Sequence, residues 1–294
     1  GWDGDPGNTS IMLAGANIVK NLIKADPPVR VLYKPHPFTG TVLAKAGSAH
    51  RKIVALVEKA AAERAADPRF AADAAAQAEA KAELARIEAR LAELAGATGE
   101  KGDEAETTRD GVVDVRKHEE VAQLRDQWND AYWRSFGTFE HRVIEGAEPR
   151  LFDCFNVSDA MVSDISSVVS DFLASGKPYA VTDSAGLGVE EFKRQNTAVR
   201  AATILSNSAT EIGELLAAVR DPAADPLAED RKELKEYLLG PDEPASIEQF
   251  NTAVADLALK AETRNLGQES RATAAGTPGA DELSDALSAK PPTV

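Results

Sequence analysis

The stretch AMVSDISSVVSDFLASGKPYAVT, residues 160–182, decides the fold class. Ala160 to Ser163 reads as a short apolar strand, and Asp164-Ile165-Ser166-Ser167 supplies a turn with helix-capping residues. Val168 to Ser175 continues as a helix, Gly176-Lys177-Pro178 ends it, and Tyr179 to Thr182 is a second strand. Strand, helix and strand in this order are the repeating unit of a parallel sheet with crossover helices.

The same alternation extends towards the amino end. Residues 1–9 are rich in Gly, Asp, Pro and Asn and read as a loop. Asn8, Thr9 or Ser10 can cap a helix running to about Lys24, with Ile11, Leu13, Ile18, Val19 and Leu22 on its buried face. Asp26-Pro27-Pro28 stops that helix, and Val29 to Tyr33 is β-branched and apolar enough to be a buried strand. Lys34-Pro35-His36-Pro37 ends the strand, because proline cannot continue a central ladder. The first residues, Gly1-Trp2-Asp3-Gly4, lack methionine and fall within a loop, so residue 1 is expected to be a cut point.

Between the apolar regions the composition changes. Residues 48–98 are dominated by Ala, Glu and Arg, and Leu84, Ile87, Leu91 and Leu94 follow the 3-4-3 spacing of a coiled-coil seam. Asp67-Pro68 should break this helix. Residues 96–111 are Gly- and charge-rich and are expected to be disordered, and a second helix is predicted at 117–135 with Val121, Leu124 and Trp128 on one face. The expected organisation is therefore a discontinuous domain, 1–45 and 140–262, interrupted by a helical hairpin with a disordered tip at 46–139. Helices are predicted near 208–220, 227–239 and 247–262, followed by a disordered tail at 263–294.

The net charge of −15 over 294 residues argues against nucleic acid as a partner. The single cysteine, Cys154, excludes an intrachain disulfide and suits a cytoplasmic setting. No run of about 18 apolar residues could span a membrane. No metal site is expected, since no HExxH, paired CxxC or clustered carboxylates appear in the sequence with metal-ligand spacing. There is no Walker motif, and Gly186-Leu187-Gly188 reads as a turn.

Two positions could carry chemistry. At the opening of the 168–175 helix, unpaired N–H groups and the hydroxyls of Ser166 and Ser167 can receive a phosphate; the plainer reading is a helix cap at Asp164 or Ser166. At the end of the 29–33 strand, two prolines fix the backbone around His36, whose imidazole can exchange a proton or stand beside a phosphate, with Lys34 adding charge. The plainer reading there is a histidine that ends a strand. His50, His118 and His141 read as solvated or packing residues, and Trp128, Tyr132 and Trp133 as helix packing.

Four stretches resemble the CDP-glycerol glycerophosphotransferase family, which polymerises teichoic acid backbones in cell-wall biosynthesis. They are VRVLYKPHP (29–37), DAMVSDISSVVSDF (159–172), SGKPYAV (175–181) and YLLGPDEPASIEQF (237–250). Gly1-Trp2 resembles the loop after the first strand of that family's C-terminal domain. The resemblance implies a GT-B fold whose C-terminal, Rossmann-like half binds the donor nucleotide without a further cofactor. It also implies transfer of glycerol phosphate from CDP-glycerol to a hydroxyl of a polymer acceptor, which in some cases is lipid-linked. By position, His36 corresponds to the catalytic histidine of this half. Ser166 and Ser167 correspond to the phosphate-gripping serines, Asp164 shapes their turn, and Lys34 and Asp171 complete the nucleotide-binding set. Ile165 stands where the family usually has a tyrosine. The family's other functional histidine belongs to an N-terminal domain that this sequence lacks, so the chain alone is expected to be inactive. That missing domain would also supply any attachment to the inner membrane face. Two alternatives stand beside this reading: a glycosyltransferase of the same fold using another nucleotide-sugar, and a non-catalytic interaction module displaying the hairpin.

Overall fold

The computed structural model describes residues 10–37, 39, 44–71, 73–98 and 115–274. The chain divides into a body ending at Leu239 and a second unit beginning at Gly240. The elements of the body, in order, are α1 (Ser10–Leu13), α2 (Gly15–Ile23), β1 (Leu32–Tyr33), α3 (Ala44–Ala65), α4 (Ala74–Thr98), α5 (Val115–Arg134), β2 (Arg142–Val143) and α6 (Leu151–Val157). They continue with β3 (Met161–Ser163), α7 (Ser167–Leu173), β4 (Tyr179–Thr182), α8 (Val189–Gln195), β5 (Thr203–Leu205), α9 (Ile212–Arg220) and α10 (Ala228–Leu239). The second unit contributes α11 (Ser246–Ala274).

Among the described residues all strand pairings are parallel, as the alternation of strands and helices requires. They form two ladders, β1–β2 and β3–β4–β5. The protein is thus α/β, rich in helix, with short parallel strands.

β4 shows how the sheet is covered. Tyr179 and Val181 point to one face, where they pack with Phe155 of α6, Val169, Phe172 and Leu173 of α7, Phe192 of α8 and Leu234 of α10. Ala180 points to the other face, with Ala14, Ile18, Leu205 and the α9 residues Ile212, Leu215 and Leu216. Both faces are dry, so the strand reads as a continuous buried run. α7 can turn back into β4 because Gly176 takes φ +69, a left-handed value that an L side chain resists. Lys177 then reaches across to α6, donating to the carbonyls of Phe155, Asn156 and Ser158 at 3.0, 3.1 and 2.8 Å. Those carbonyls lie at a helix end, where backbone acceptors lack i+4 donors, and an ammonium also suits the negative end of the helix.

α3 departs from the expected organisation. Its Ile53 and Val57 are buried with Val19 of α2, next to Tyr33 and Val143. Gly15 permits the close approach, since a Cβ there would lie 2.8 Å from Ile53 Cδ1. Residues 46–65 therefore belong to the core of the body, and the hairpin proper is α4–α5. The helix break at Asp67-Pro68 is present: α3 ends at Ala65, and Asp67 caps a short 3-10 turn, Pro68–Phe70, by accepting from the Arg69 N–H.

In the hairpin, Ile87 and Leu94 of the anticipated seam are buried, and Leu84 and Leu91 are half-buried. Ala80 and Ala131 are fully buried. Trp128 donates to Glu88 at 3.0 Å, Arg90 pairs with Glu120 at 2.7 Å and Arg134 with Glu83 at 2.9 Å. The order of these contacts makes α4 and α5 antiparallel. The tip expected to be disordered falls, from residue 99, outside the described residues.

The second unit corrects two boundaries. α11 lies there and not in the sheet-bearing body, and it runs twelve residues past 262, through 263–274, where a disordered tail was expected. Arg264, Leu266, Gln268 and Arg271 and the alanines around them are good helix formers, and they outweigh Gly267. Gln249 fastens the start of this helix by donating to the Pro241 and Pro244 carbonyls at 2.8 and 2.6 Å. The rest of the tail, 275–294, lies outside the described residues.

Candidate functional site

The carboxyl ends of parallel strands are where α/β proteins present their chemistry. At the end of β3, Asp164 does not cap the helix that follows it. Its Oδ1 accepts the Ser10 N–H at 3.0 Å and so caps α1. Ser166 occupies the N-cap position of α7 in an extended conformation, φ −161 and ψ 168, and its hydroxyl makes no cap bond. Ser166 and Ser167 are both exposed. The unused hydroxyl borders a cavity of about 220 Å³ lined on one side by Ile165 and Val169 and on the other by Asn196, Thr197 and Val199. Asp171 is exposed further along α7.

At the end of β1, Lys34 donates to the Gly146 and Pro149 carbonyls at 3.2 and 2.9 Å. Its charge is spent on holding the loop after β2. His36 is exposed, and its carbonyl accepts the Thr39 N–H at 2.8 Å. Asp164 belongs to the same edge as these residues. Burial, together with the carboxylates of Glu145 and Asp164, raises the Tyr33 phenol well above its ordinary range. Tyr33 and Asp164, the residues at or just past the ends of β1 and β3, are thus within electrostatic reach of each other.

Sequence reasoning missed two groups. The first is built on His50, which the sequence marks only as a solvated or packing residue and which lies half-buried on α3. The Tyr33 hydroxyl lies 3.0 Å from His50 Nδ1, and His50 Nε2 lies 3.5 Å from the Glu145 carboxylate. Which of the hydroxyl and Nδ1 donates follows the imidazole tautomer. The three make a phenol–imidazole–carboxylate chain across β1, α3 and the loop after β2. Its only signal in sequence would have been that α3 packs on the sheet, which the Ala-rich composition concealed.

The second group follows β4 and β5. Thr182, Asp183 and Ser184 are buried. Asp183 Oδ2 accepts the Gly188 N–H at 2.8 Å, Asn207 donates to the Ser184 carbonyl at 3.2 Å, and Asn17 of α2 donates to the Asn207 carbonyl at 2.9 Å. Thr182 Oγ1, Asp183 Oδ1, Ser184 Oγ and Asn207 Oδ1 remain buried without a hydrogen-bond partner. Such a shelf has spare acceptors, which buried polar groups rarely leave unused. Three polar residues, the last of an apolar strand and the two that follow it, were the available signal.

The remaining histidines differ. His118 is exposed on α5, whereas His141 is 1% exposed and accepts the Val31 N–H through Nδ1 at 3.0 Å. Burial, reinforced by Arg64, lowers its pKa to about 4. Cys154 is buried, and burial raises its thiol pKa. Among the described residues, no group of three or more His, Cys, Asp or Glu side chains could hold a metal ion, and no helix is long and apolar enough to cross a membrane. No protein-family model matches this sequence, and neither a characterised protein nor a solved structure matches it.

Proposed function

We propose that the body of this protein is the donor-nucleotide-binding half of a two-domain transferase of the CDP-glycerol glycerophosphotransferase type. In this reading the parallel strands belong to a Rossmann-like sheet, the C-terminal half of a GT-B fold, with the nucleotide diphosphate at its carboxyl edge. The observation that carries the reading is Ser166. It is exposed at the opening of α7, its hydroxyl is free of any capping duty, and it borders a cavity at the end of a parallel strand. Ser166 and Ser167 hold the phosphates with hydroxyl and backbone donors. Asp164 fixes their turn through Ser10, and His36 stands beside the donor phosphate. Lys34 supports the site through the 146–149 loop, not by touching phosphate, and Asp171 lies at its margin. In the reaction a polymer hydroxyl attacks the phosphorus that carries glycerol. The new P–O bond forms, the bond to cytidine monophosphate breaks, and the hydroxyl proton passes to a base in the partner domain.

Titration calorimetry of the 294-residue chain with CDP and with UDP tests this. CDP should bind in preference to UDP, and Ser166→Val with Ser167→Val should weaken binding about ten-fold or more, the loss of one or two charge-assisted hydrogen bonds. Preference for UDP moves the assignment to a nucleotide-sugar glycosyltransferase. Absence of binding by any nucleotide overturns it.

The α4–α5 hairpin supports a second reading, a non-catalytic module that presents this helical pair to a partner, because its seam and ion pairs are complete without help from the sheet. Removing residues 74–134 and measuring nucleotide binding separates the two: binding that survives assigns the hairpin a role apart from the nucleotide.

A further inference from the structure

The two ladders leave β1 and β3 each with an edge that no described strand pairs. In a parallel pair, a residue whose neighbours both bond to one side has its own N–H and C=O aimed at the other. In β1 the Val31 and Tyr33 carbonyls accept from Arg142 and Ile144, next to β2. Leu32, between them, therefore points its N–H and C=O away from β2. In β3 the Met161 N–H donates to the Pro178 carbonyl, ahead of β4, and the register Val162↔Ala180 leaves the Val162 N–H and C=O pointing away from β4. Neither Leu32 nor Val162 makes a backbone hydrogen bond on that outward side.

The two open edges lie side by side. α2 spans them on one face: Ile18 and Leu22 pack in the cluster that holds Ala160 and Val162, while Val19 and Ile23 pack in the one that holds Tyr33 and Val143. At one end, Asp159 acts electrostatically on Arg30; at the other, Asp164 acts on Tyr33. Start therefore lies beside start and end beside end, so β1 and β3 run in the same direction. They do not pair with each other. Paired strands sit about 4.8 Å apart, so edges that are near but unpaired, with bonding groups turned inward, match an opening about one strand wide. Leu32, Met161 and Val162 are only half-buried, unlike β4, which is buried along its length.

We propose that the opening between β1 and β3 is a slot for one more β-strand, an apolar extended segment running parallel to both, with its carboxyl end beside Ser10 and Asp164. Two features select that occupant. A strand in the slot meets N–H and C=O groups on both sides, so a partner without a free backbone, such as a helix or a compact loop, leaves them unpaired. It is also roofed by the apolar side of α2 and flanked by Leu32 and Val162, which favours valine and isoleucine over charged residues. Filled, the slot gives a continuous six-stranded parallel sheet in the order β2, β1, new strand, β3, β4, β5.

Amide hydrogen exchange on the 294-residue chain, read residue by residue, tests the slot. The probe is a capped seven-residue peptide of valine and isoleucine with a lysine at each end. The control is the same peptide with proline at its third and fifth positions, which cannot complete a ladder. At saturation, exchange at Leu32 and Val162 should slow about ten-fold or more. Val143 and Ile204, whose groups face the two outer edges of the sheet, should not change, and the proline peptide should have no effect. A nitroxide on the carboxyl end of the peptide should broaden the Asp164 amide and spare Asp159. Unchanged exchange at Leu32 and Val162, equal protection at the outer edges, or equal protection by the proline peptide overturns the proposal. So does broadening at Asp159 in place of Asp164. Protection of Leu32 and Val162 in the peptide-free chain that grows with protein concentration also overturns it, because a second copy then fills the opening.

Discussion

Around β4, Tyr179 and Val181 meet apolar neighbours on one face and Ala180 on the other, with Phe172, Leu173, Tyr179 and Val181 essentially removed from water. α4 and α5 instead meet along one narrow seam, in which Ile87 and Leu94 carry most of the burial and charged pairs line the rim. The sheet has few strand residues yet a thick core; the hairpin has long helices and a thin one. Length of regular structure is therefore a poor guide to what holds this molecule together, because stability follows apolar area buried and not the number of helical turns. Of the three tryptophans, Trp128 donates to Glu88 across the hairpin, so with Trp2 and Trp133 replaced by phenylalanine fluorescence watches the hairpin while amide exchange along β4 watches the sheet.

The largest expected effect comes from hollowing the thick core. Phe172→Ala removes a fully buried ring that packs edge-on against Phe155 with centroids 5.1 Å apart. The loss should be about 3–5 kcal/mol, read as a lower urea midpoint in the β4 amides. If the tryptophan signal moves by the same amount, sheet and hairpin unfold as one unit. If it stays, they are separate cooperative units and the contrast between them is thermodynamic as well as structural.

Acid should weaken the part of the body next to β1 and β2. His141 is neutral in the folded protein down to about pH 4, whereas the unfolded imidazole takes up its proton near 6.5. Between those values the unfolded state binds more protons, so stability falls as pH drops from 6.5 to 4. It is unaffected by this group above 6.5. The full loss is about 3 kcal/mol. His141→Asn, which keeps an acceptor for the Val31 N–H, should flatten that slope in urea titrations at pH 7 and pH 4.5. A slope that persists unchanged would assign the acid sensitivity to other groups.

What could be read in the sequence follows the same division. β3, α7 and β4 were legible because apolar runs and a Gly-Lys-Pro break mark their ends, and the α4–α5 seam because leucine spacing survives in an alanine background. β2 and β5 were not. Arg142–Val143 is two residues long, too short for any period to show, and Thr203–Leu205, as short as β3, follows Ala201-Ala202 in an apolar run that fits helix and strand alike. α3 was misplaced because its overall composition matches the hairpin, while the two residues that bind it to the core, Ile53 and Val57, are the ends of one short apolar run, IVALV (53–57), in a long Ala-, Lys- and Glu-rich stretch. At the site, Ser166 and Asp164 stood out by position, but Asp164's bond to Ser10 joins residues 154 apart. No local pattern predicts that. Lys34 looked like a free cation beside a histidine, and only the fold shows it bonded to carbonyls of the loop after β2.

The smallest effect should come from the hairpin's rim. Arg90 bridges Glu93 and Glu120, and these partners raise its pKa, but the group is open to water. Exposed pairs of this kind lose most of their Coulomb energy to solvent and to the entropy of holding long side chains still. Arg90→Gln should leave the β4 amides untouched and shift the tryptophan-detected midpoint only slightly. High salt should reproduce that small shift in the parent chain and add nothing in the variant, because screening and substitution remove the same attraction. A large fall in the tryptophan midpoint on either change would mean that the rim, and not the Ile87–Leu94 seam, holds α4 to α5. The hairpin would then be an electrostatic structure joined to a hydrophobic one.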